Sequence, residues 1–363
     1  MALAWLALAG FRSYPELQWT PSAGVNLVVG GNGVGKTNLL EAVGMLFTGA
    51  SFRGAPDRAL VAVGRDVAAV RGGTDDTAPH TIELMVHRTE RRRLLLNGSR
   101  PARASDLAGA GRVLVFIPEH LDLVKGGPAR RRDWLDETAG LLWPLARADQ
   151  TDYQKTLRHR NAFLKTGDRE DHVTLEVWDH RLAVSGARVM AARARAFHQV
   201  AKPVTRAVST IAGMSEQLWI DYRSDWGGGL DRTVATADWE RRLQNALERR
   251  RKRDFLVGST TVGLHRDEPI LTLNHHDARL YASQGEQRTL ALALRLGVFQ
   301  AVEEAAGCRP ILVLDDVFSE LDRDRAEALV DWLPATQTFI SAVEEEKTPI
   351  GGDVWRVTPG YVR

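Results

Sequence analysis

Apolar positions change their period several times along this chain, and each change predicts a change of element. Residues 3–8, 17–19 and 26–29 are short apolar runs of strand length, split by Gly10 and by the Pro21 to Gly24 stretch. Residues 38–47 then repeat apolar side chains at helical spacing. Sheet character follows at 67–70, and the pair 81–88 and 91–96 ends on Asn97-Gly98, a tight-turn dipeptide that predicts antiparallel hairpins. Residues 113–117 form a continuous, β-branched run closed by Pro118, which predicts a buried strand.

From about residue 121 to 253 charged residues recur between Leu, Ala, Val and Trp at three- and four-residue spacing, over 133–145, 152–164 and 173–208. A further helix is predicted over 238–253, dense in arginine toward its end. This region predicts an all-helical insertion. Sheet character returns at 270–273, and Gly307-Cys308-Arg309-Pro310 ends a helix ahead of Ile311-Leu312-Val313-Leu314-Asp315-Asp316. Four apolar residues before two acids describe a buried central strand with carboxylates at its C-terminal end, where α/β sheets meet their ligands. The pattern therefore predicts an α/β chain with a mixed sheet, in three segments: 1–120, a helical insertion over 121–255, and 256–363.

Composition narrows the class without deciding it. At 363 residues, 44% hydrophobic and 26% charged, the chain has the makeup of a globular protein large enough for one domain with insertions or for two. No apolar run reaches membrane-spanning length, and residues 1–9 lack the basic flank of a signal peptide, so a first strand and a cytoplasmic protein are expected. A single cysteine, Cys308, excludes an internal disulfide framework and a cysteine-built zinc site. The net charge of +2 gives no global field for nucleic acid, so any such binding must come from local patches.

The most specific chemistry lies in Gly30-Gly31-Asn32-Gly33-Val34-Gly35-Lys36-Thr37, which fits the phosphate loop of ATP and GTP sites. Gly30, Asn32, Gly33 and Gly35 let backbone N–H groups approach phosphates, Lys36 reaches the β and γ oxygens, and Thr37 ligates Mg2+. The strand before it and the helix after it are the setting this motif requires. Asp315 is assigned to Mg2+ and Asp316 to the attacking water. A second anion site is expected at Ser283-Gln284-Gly285-Glu286-Gln287, ahead of a helix starting near Arg288. Arginine runs at Arg91, Arg92 and Arg93, at Arg130, Arg131 and Arg132, and over 249–252 are candidate DNA patches; those at the α-helix start oppose the helix dipole and call for a partner.

The order phosphate loop, Ser283-Gln284-Gly285, Leu314-Asp315-Asp316 and Ser319-Glu320-Leu321-Asp322 resembles the ATP-binding-cassette (ABC) class in its SMC-like branch. Finer residues resemble the RecF family of recombination mediators: Phe11-Arg12-Ser13-Tyr14, the run from Gly35 to Ala42, Ser51-Phe52-Arg53, Pro118-Glu119, Arg131-Arg132, Gly263-Leu264-His265-Arg266-Asp267 and Asp277-Ala278-Arg279. The resemblance implies an SMC-like ATPase head that binds ATP and Mg2+, with Arg12, Asn38 and Gln287 joining the nucleotide contacts and Glu119 touching the metal. It also implies an ATP-dependent homodimer in which Ser283 and Gly285 of one copy close on the nucleotide held by Lys36 of the other. Such dimers bind double-stranded and gapped DNA, act with RecO and RecR in repair, recombination and the SOS response, and hydrolyse ATP weakly, stimulated by DNA. The absence of a long heptad run favours this branch over a true SMC protein. An ABC-transporter ATPase subunit is the rival reading. It calls for a glutamine loop and a switch histidine, whereas here Pro118-Glu119 and Ser341 stand near those places.

Overall fold

The computed structural model describes residues 2–75, 78–101, 103, 106–168, 170–212, 218–345 and 349–363. Met1, the first residue of the expected opening strand, lies outside them. The chain divides into two compact units, Met1–His120 with Val302–Arg363, and Leu121–Ala301.

The first unit holds two sheets. β1 (Ala2–Phe11), β2 (Tyr14–Trp19), β4 (Val67–Asp75), β5 (Thr81–His87) and β6 (Arg93–Leu96) form an antiparallel sheet in the order β2-β1-β4-β5-β6. β5 shows why: Ile82, Leu84 and Val86 are buried while their neighbours are not, the alternation of a sheet covered on one face. The second sheet has the order β14-β13-β3-β12-β11-β7, from β3 (Val25–Val29), β7 (Val113–Phe116), β11 (Ile311–Leu314), β12 (Thr338–Ala342), β13 (Asp353–Thr358) and β14 (Tyr361–Val362). Its pairings from β13 through β7 are parallel, and every residue of β7, β11 and β12 is buried, as continuous apolar strands require. Helix α1 (Lys36–Thr48) contributes Leu39, Leu40, Val43, Met45 and Leu46 to one core shared with side chains of both sheets. Short helices α2 (Asp57–Leu60) and α3 (Leu107–Ala110) and the longer α11 (Arg323–Trp332) complete the unit.

The Asn97-Gly98 turn forms, with both residues at positive φ, but it closes the Leu96–Ser99 bridge beyond β6. β5 and β6 are joined instead through residues 88–92.

The second unit contains α4 (Asp122–Lys125), α5 (Pro128–Leu142), α6 (Leu145–Thr166), α7 (His172–Ala212), α8 (Thr236–Val257), α9 (Ala278–Tyr281) and α10 (Gln284–Ala306), the last running past the division at Ala301. It is not all-helical. β8 (Leu218–Arg223) pairs antiparallel with β9 (Glu268–Leu273), and β10 (His276–Asp277) completes a three-stranded sheet. β8 is a six-residue strand in which Leu218 and Tyr222 are buried and Trp219 exposed, too short a pattern to stand out between long helices. The unit runs on past the expected boundary at 255 to Ala301.

Two buried ionic networks tie this unit together. Arg160 donates to Asp179 at 2.7 Å, to Asp254 at 2.7 Å and to Thr260 at 2.8 Å, and all three charged side chains are fully buried. Arg193 forks onto Asp136 at 2.6 and 2.7 Å and reaches Tyr222, whose hydroxyl donates to Asp267. The Gly263–Asp267 motif is thus structural within the unit.

His265 is expected to make the stability of this unit depend on pH. Its Nε2 faces the Thr260 carbonyl, which requires the proton there, and Nδ1 then accepts from the Tyr153 hydroxyl. Burial lowers its pKa from 6.5 to about 4. The stability this contributes is present above pH 6.5 and drains as pH falls toward 4, because the unfolded imidazole takes a proton that the folded one refuses; between pH 7 and pH 5 the loss is about 2 kcal/mol. Asp267 acts in the opposite direction, since burial lifts it from 3.8 to about 6 and folded protein takes up its proton first as pH falls. His265→Gln separates the two. Its urea midpoint should fall less between pH 7 and pH 5 than that of the wild type, and equal falls would remove His265 as a sensor.

Candidate nucleotide site

Four parallel strands of the first unit end on one edge of the sheet, side by side in the order β3, β12, β11, β7. β3 leads into the phosphate loop, β12 carries Ser341 near its end, β11 is followed by Asp315 and Asp316, and β7 by Pro118 and Glu119. Chain segments far apart in sequence therefore converge at the carboxyl edge, the place where α/β sheets bind ligands.

The loop itself demands glycine at two points. A Cβ on Gly30 would stand 2.6 Å from the Val357 carbonyl oxygen, and one on Gly35, at φ 117°, would stand 2.7 Å from the Ser13 hydroxyl. The β1–β2 turn is stitched to this loop and to α1. Tyr14 donates to the Gly35 carbonyl at 3.0 Å, Asn38 to the Ser13 hydroxyl at 2.9 Å, and Arg12 forks onto the fully buried Glu41 at 2.8 and 2.9 Å. Arg12 and Asn38 thus serve as braces of the loop and α1, with Arg12 also bonded to the Ala59 carbonyl.

Lys36 is 8% exposed, and its ammonium donates to the carbonyls of Gly30 at 2.6 Å and Gly31 at 2.9 Å. Burial lowers its pKa, and the charges of Asp316 and Asp315 work against that. Across the site Asp315 accepts from Thr37 at 3.1 Å and from Ser341 at 2.7 Å. Burial raises the Asp315 pKa and these two hydroxyls lower it. Ser341 also accepts from the Asp316 backbone N–H at 2.8 Å, and Asp316 sits at φ 51°, a conformation a non-glycine residue seldom adopts. One hydroxyl thereby ties the Asp315 carboxylate to the Asp316 backbone. Sequence reasoning noted Ser341 only as a departure from a switch histidine; its signal lay in the pairing of β12 beside β11.

The residues fit a magnesium nucleotide. A nearly buried ammonium bonded to neutral carbonyls awaits an anion, and Thr37 and Asp315 offer two touching oxygens of the kind Mg2+ takes while its other positions go to water and phosphate. Glu119 is exposed on the 3-10 turn Pro118–Leu121. Among the described residues no three His, Cys, Asp or Glu side chains converge to hold a metal, so Glu119 does not complete such a group with Asp315 and Asp316.

In the second unit, helix α10 starts at Gln284, four residues earlier than expected. Ser283 and Glu286 cap it reciprocally: the Ser283 N–H donates to the Glu286 carboxylate at 2.6 Å, and the Glu286 N–H to the Ser283 hydroxyl at 3.2 Å. Ser283 is exposed, and Gly285 lies in the first turn of the helix, where N–H groups lack helical acceptors. Gln287 turns back to the Ala282 carbonyl at 2.9 Å.

The arginine runs separate sharply. Arg131 is buried, and its guanidinium is spent on the carbonyls of Pro269, Gly126 and Val124 and on Glu268, so it is no DNA contact. The partners that offset its unfavourable place in the helix dipole are the Glu268 carboxylate and the protein's own backbone carbonyls. Arg132 donates to the Asp267 carbonyl at 2.7 Å, and Arg92 is paired with Asp57 and the Gly49 carbonyl. Arg91, Arg93 and Arg130 remain exposed.

A parallel-centred sheet bearing this loop and acid pair, with a second unit carrying the capped Ser283 helix, defines an SMC-like ATPase head of mixed α/β fold. The family model for the RecF/RecN/SMC N-terminal domain matches residues 2–359. The chain belongs to that family, in its RecF branch. DNA replication and repair protein RecF of Acidothermus cellulolyticus is 40% identical over 362 residues, covering 97% of this chain and 96% of its own length. RecF of Frankia alni is 38% identical, covering 96% and 95%. The solved structure of the recombination mediator protein RecF-ATP in the RecFOR pathway superposes with a TM-score of 0.88 at 31% identity, covering 99% of this chain and 98% of that one. An Smc head bound to the C-terminal winged-helix domain of ScpA, at 17% identity and a TM-score of 0.58, shares the fold.

Proposed function

We propose that this chain is an ATP-gated DNA-binding switch of recombinational repair. The observation that carries the reading is the Lys36 ammonium, nearly buried and bonded to the carbonyls of Gly30 and Gly31, in a loop that leaves no room for a Cβ at Gly30 or Gly35. Lys36 and the loop N–H groups bind the triphosphate of ATP; Thr37 and Asp315 hold Mg2+, which when bound neutralises phosphate charge. Asp316 orients the attacking water, with Ser341 positioning both acids. The exposed Ser283 and the first turn of α10 belong to the site of a second copy, so that nucleotide joins two chains. RecF relatives, one of them solved with ATP, support this reading.

The dimer binds double-stranded DNA at gaps, with Arg91, Arg93 and Arg130 among its phosphate contacts, and acts with RecR and RecO in recombinase loading. Slow, DNA-stimulated hydrolysis releases it. No helix among the described residues is long and apolar enough to cross a membrane, and the reading places the chain in the cytoplasm.

Sedimentation of wild type and Ser283→Arg with and without Mg-ATP tests the sandwich. The wild type should dimerise with nucleotide. Ser283→Arg should stay monomeric while its ATP affinity changes by less than about threefold. A variant that dimerises normally would falsify the shared site.

A further inference from the structure

Helices α6 and α7 flank a cleft of about 450 Å3 whose lining departs from what a helix seam ordinarily buries. Lys155 and His159 line it from α6, four residues apart and so on one helical face; Trp178, His180, Arg181 and Arg188 line it from α7. His159 stacks on Trp178, with ring centroids 5.3 Å apart and planes at 12°, and the Arg181 guanidinium lies 5.6 Å from the centre of the same indole. Trp178 is half-buried, whereas Lys155, His159, His180 and Arg181 are exposed. Neither Lys155 nor Arg181 makes an ion pair among the described residues. Asp152 also lines the cleft, and Arg188 is paired with Asp149 at 3.3 Å.

We infer that this cleft binds an unpaired nucleotide of a single DNA strand, its phosphates meeting Lys155 and Arg181 and its base extending the His159–Trp178 stack. Cationic side chains around an aromatic stack are the means by which proteins hold single strands without reading sequence. A volume of this size suits a small ligand, and in a duplex the faces of the bases are already covered by their neighbours, so the stack selects the unpaired strand. The inference rests on the DNA-binding reading above and deepens it. It gives the chain its own means of sensing the single-stranded side of a gap.

The test uses the full chain, a labelled oligo-thymidylate and a blunt duplex of the same length, with binding followed by anisotropy over a salt series. Lys155→Glu combined with Arg181→Glu should weaken oligo-thymidylate binding at least about tenfold and flatten its salt dependence, with duplex binding kept within about twofold. His159→Ala should weaken strand binding about fivefold and leave the salt slope in place, since it removes stacking and no phosphate contact. A thermal midpoint within about 2 °C of wild type in both variants is the check on folding. Strand binding that survives the double charge reversal, with duplex binding intact, overturns the cleft alone. Parallel loss of strand and duplex overturns the selectivity for unpaired bases. Displacement of the oligonucleotide by poly-glutamate at equal charge would assign the cleft to an acidic protein and overturn the proposal. A wild type that binds neither probe overturns this inference and the DNA reading together.

Discussion

Lys36→Met is expected to abolish ATP binding, lowering affinity by two orders of magnitude or more in a calorimetric titration with Mg-ATP. The substitution keeps the aliphatic stem, which fills space beneath the loop, and removes the charge. In the present structure the ammonium is 8% exposed and donates to the Gly30 and Gly31 carbonyls at 2.6 and 2.9 Å. A buried charge-assisted contact to phosphate contributes about 2–5 kcal/mol, and its loss leaves phosphate oxygens facing carbonyls. The Thr37–Asp315 contact and the Tyr14 hydroxyl on Gly35 hold the loop by other means, so the folded unit should survive with an unchanged circular-dichroism spectrum. ATP affinity within about threefold of wild type would show that the loop N–H groups suffice and that Lys36 has another task.

The largest effect on stability should come from Arg160→Met. This guanidinium is fully buried between Asp179 and Asp254, themselves fully buried, at 2.7 Å each. Methionine fills much of the volume but leaves Asp254 held by the hydroxyl and N–H of Thr261, and Asp179 by Arg251 at 2.7 Å. Removing one partner of a buried pair costs about 3–5 kcal/mol, most of it the penalty of an uncompensated carboxylate. A fall of roughly 10 °C in the thermal midpoint follows for a unit of this size. Arg160→Lys retains the charge without the fork and should fall between the two. If Arg160→Met unfolds within about 2 °C of wild type, the carboxylates are relaxing into water and the network is not what ties α6, α7 and α8 together.

These two residues differ in how far sequence foretold them. Lys36 stands in a contiguous motif whose spacing carries its chemistry, between a strand and a helix that local periodicity already defines. Arg160 is one arginine among many on a helix with an exposed face; nothing within a few positions distinguishes it, because its partners lie 19 and 94 residues away. Arg131 makes the same point in reverse. Its place at a helix start signalled a partner correctly, and the partners are Glu268 and carbonyls of its own unit. β8 was missed because two buried side chains in six residues cannot outweigh the helical pattern on either side.

By itself the sequence determined the phosphate loop, the acid pair, the α/β character and the family pattern, since each depends on residues close together or on a short-range period. Tertiary structure decided that Ser341 joins Asp315 to Asp316, that Arg12 braces Glu41, which arginines face solvent, that β8 pairs with β9, and that the second unit runs to Ala301. Those outcomes depend on strand order and on burial of long side chains, which are properties of segments brought together from distant parts of the chain. The nucleotide loop was legible because its function is written in backbone geometry that eight consecutive residues impose; its supporting shell was not, because no local pattern encodes which strand lies next to which.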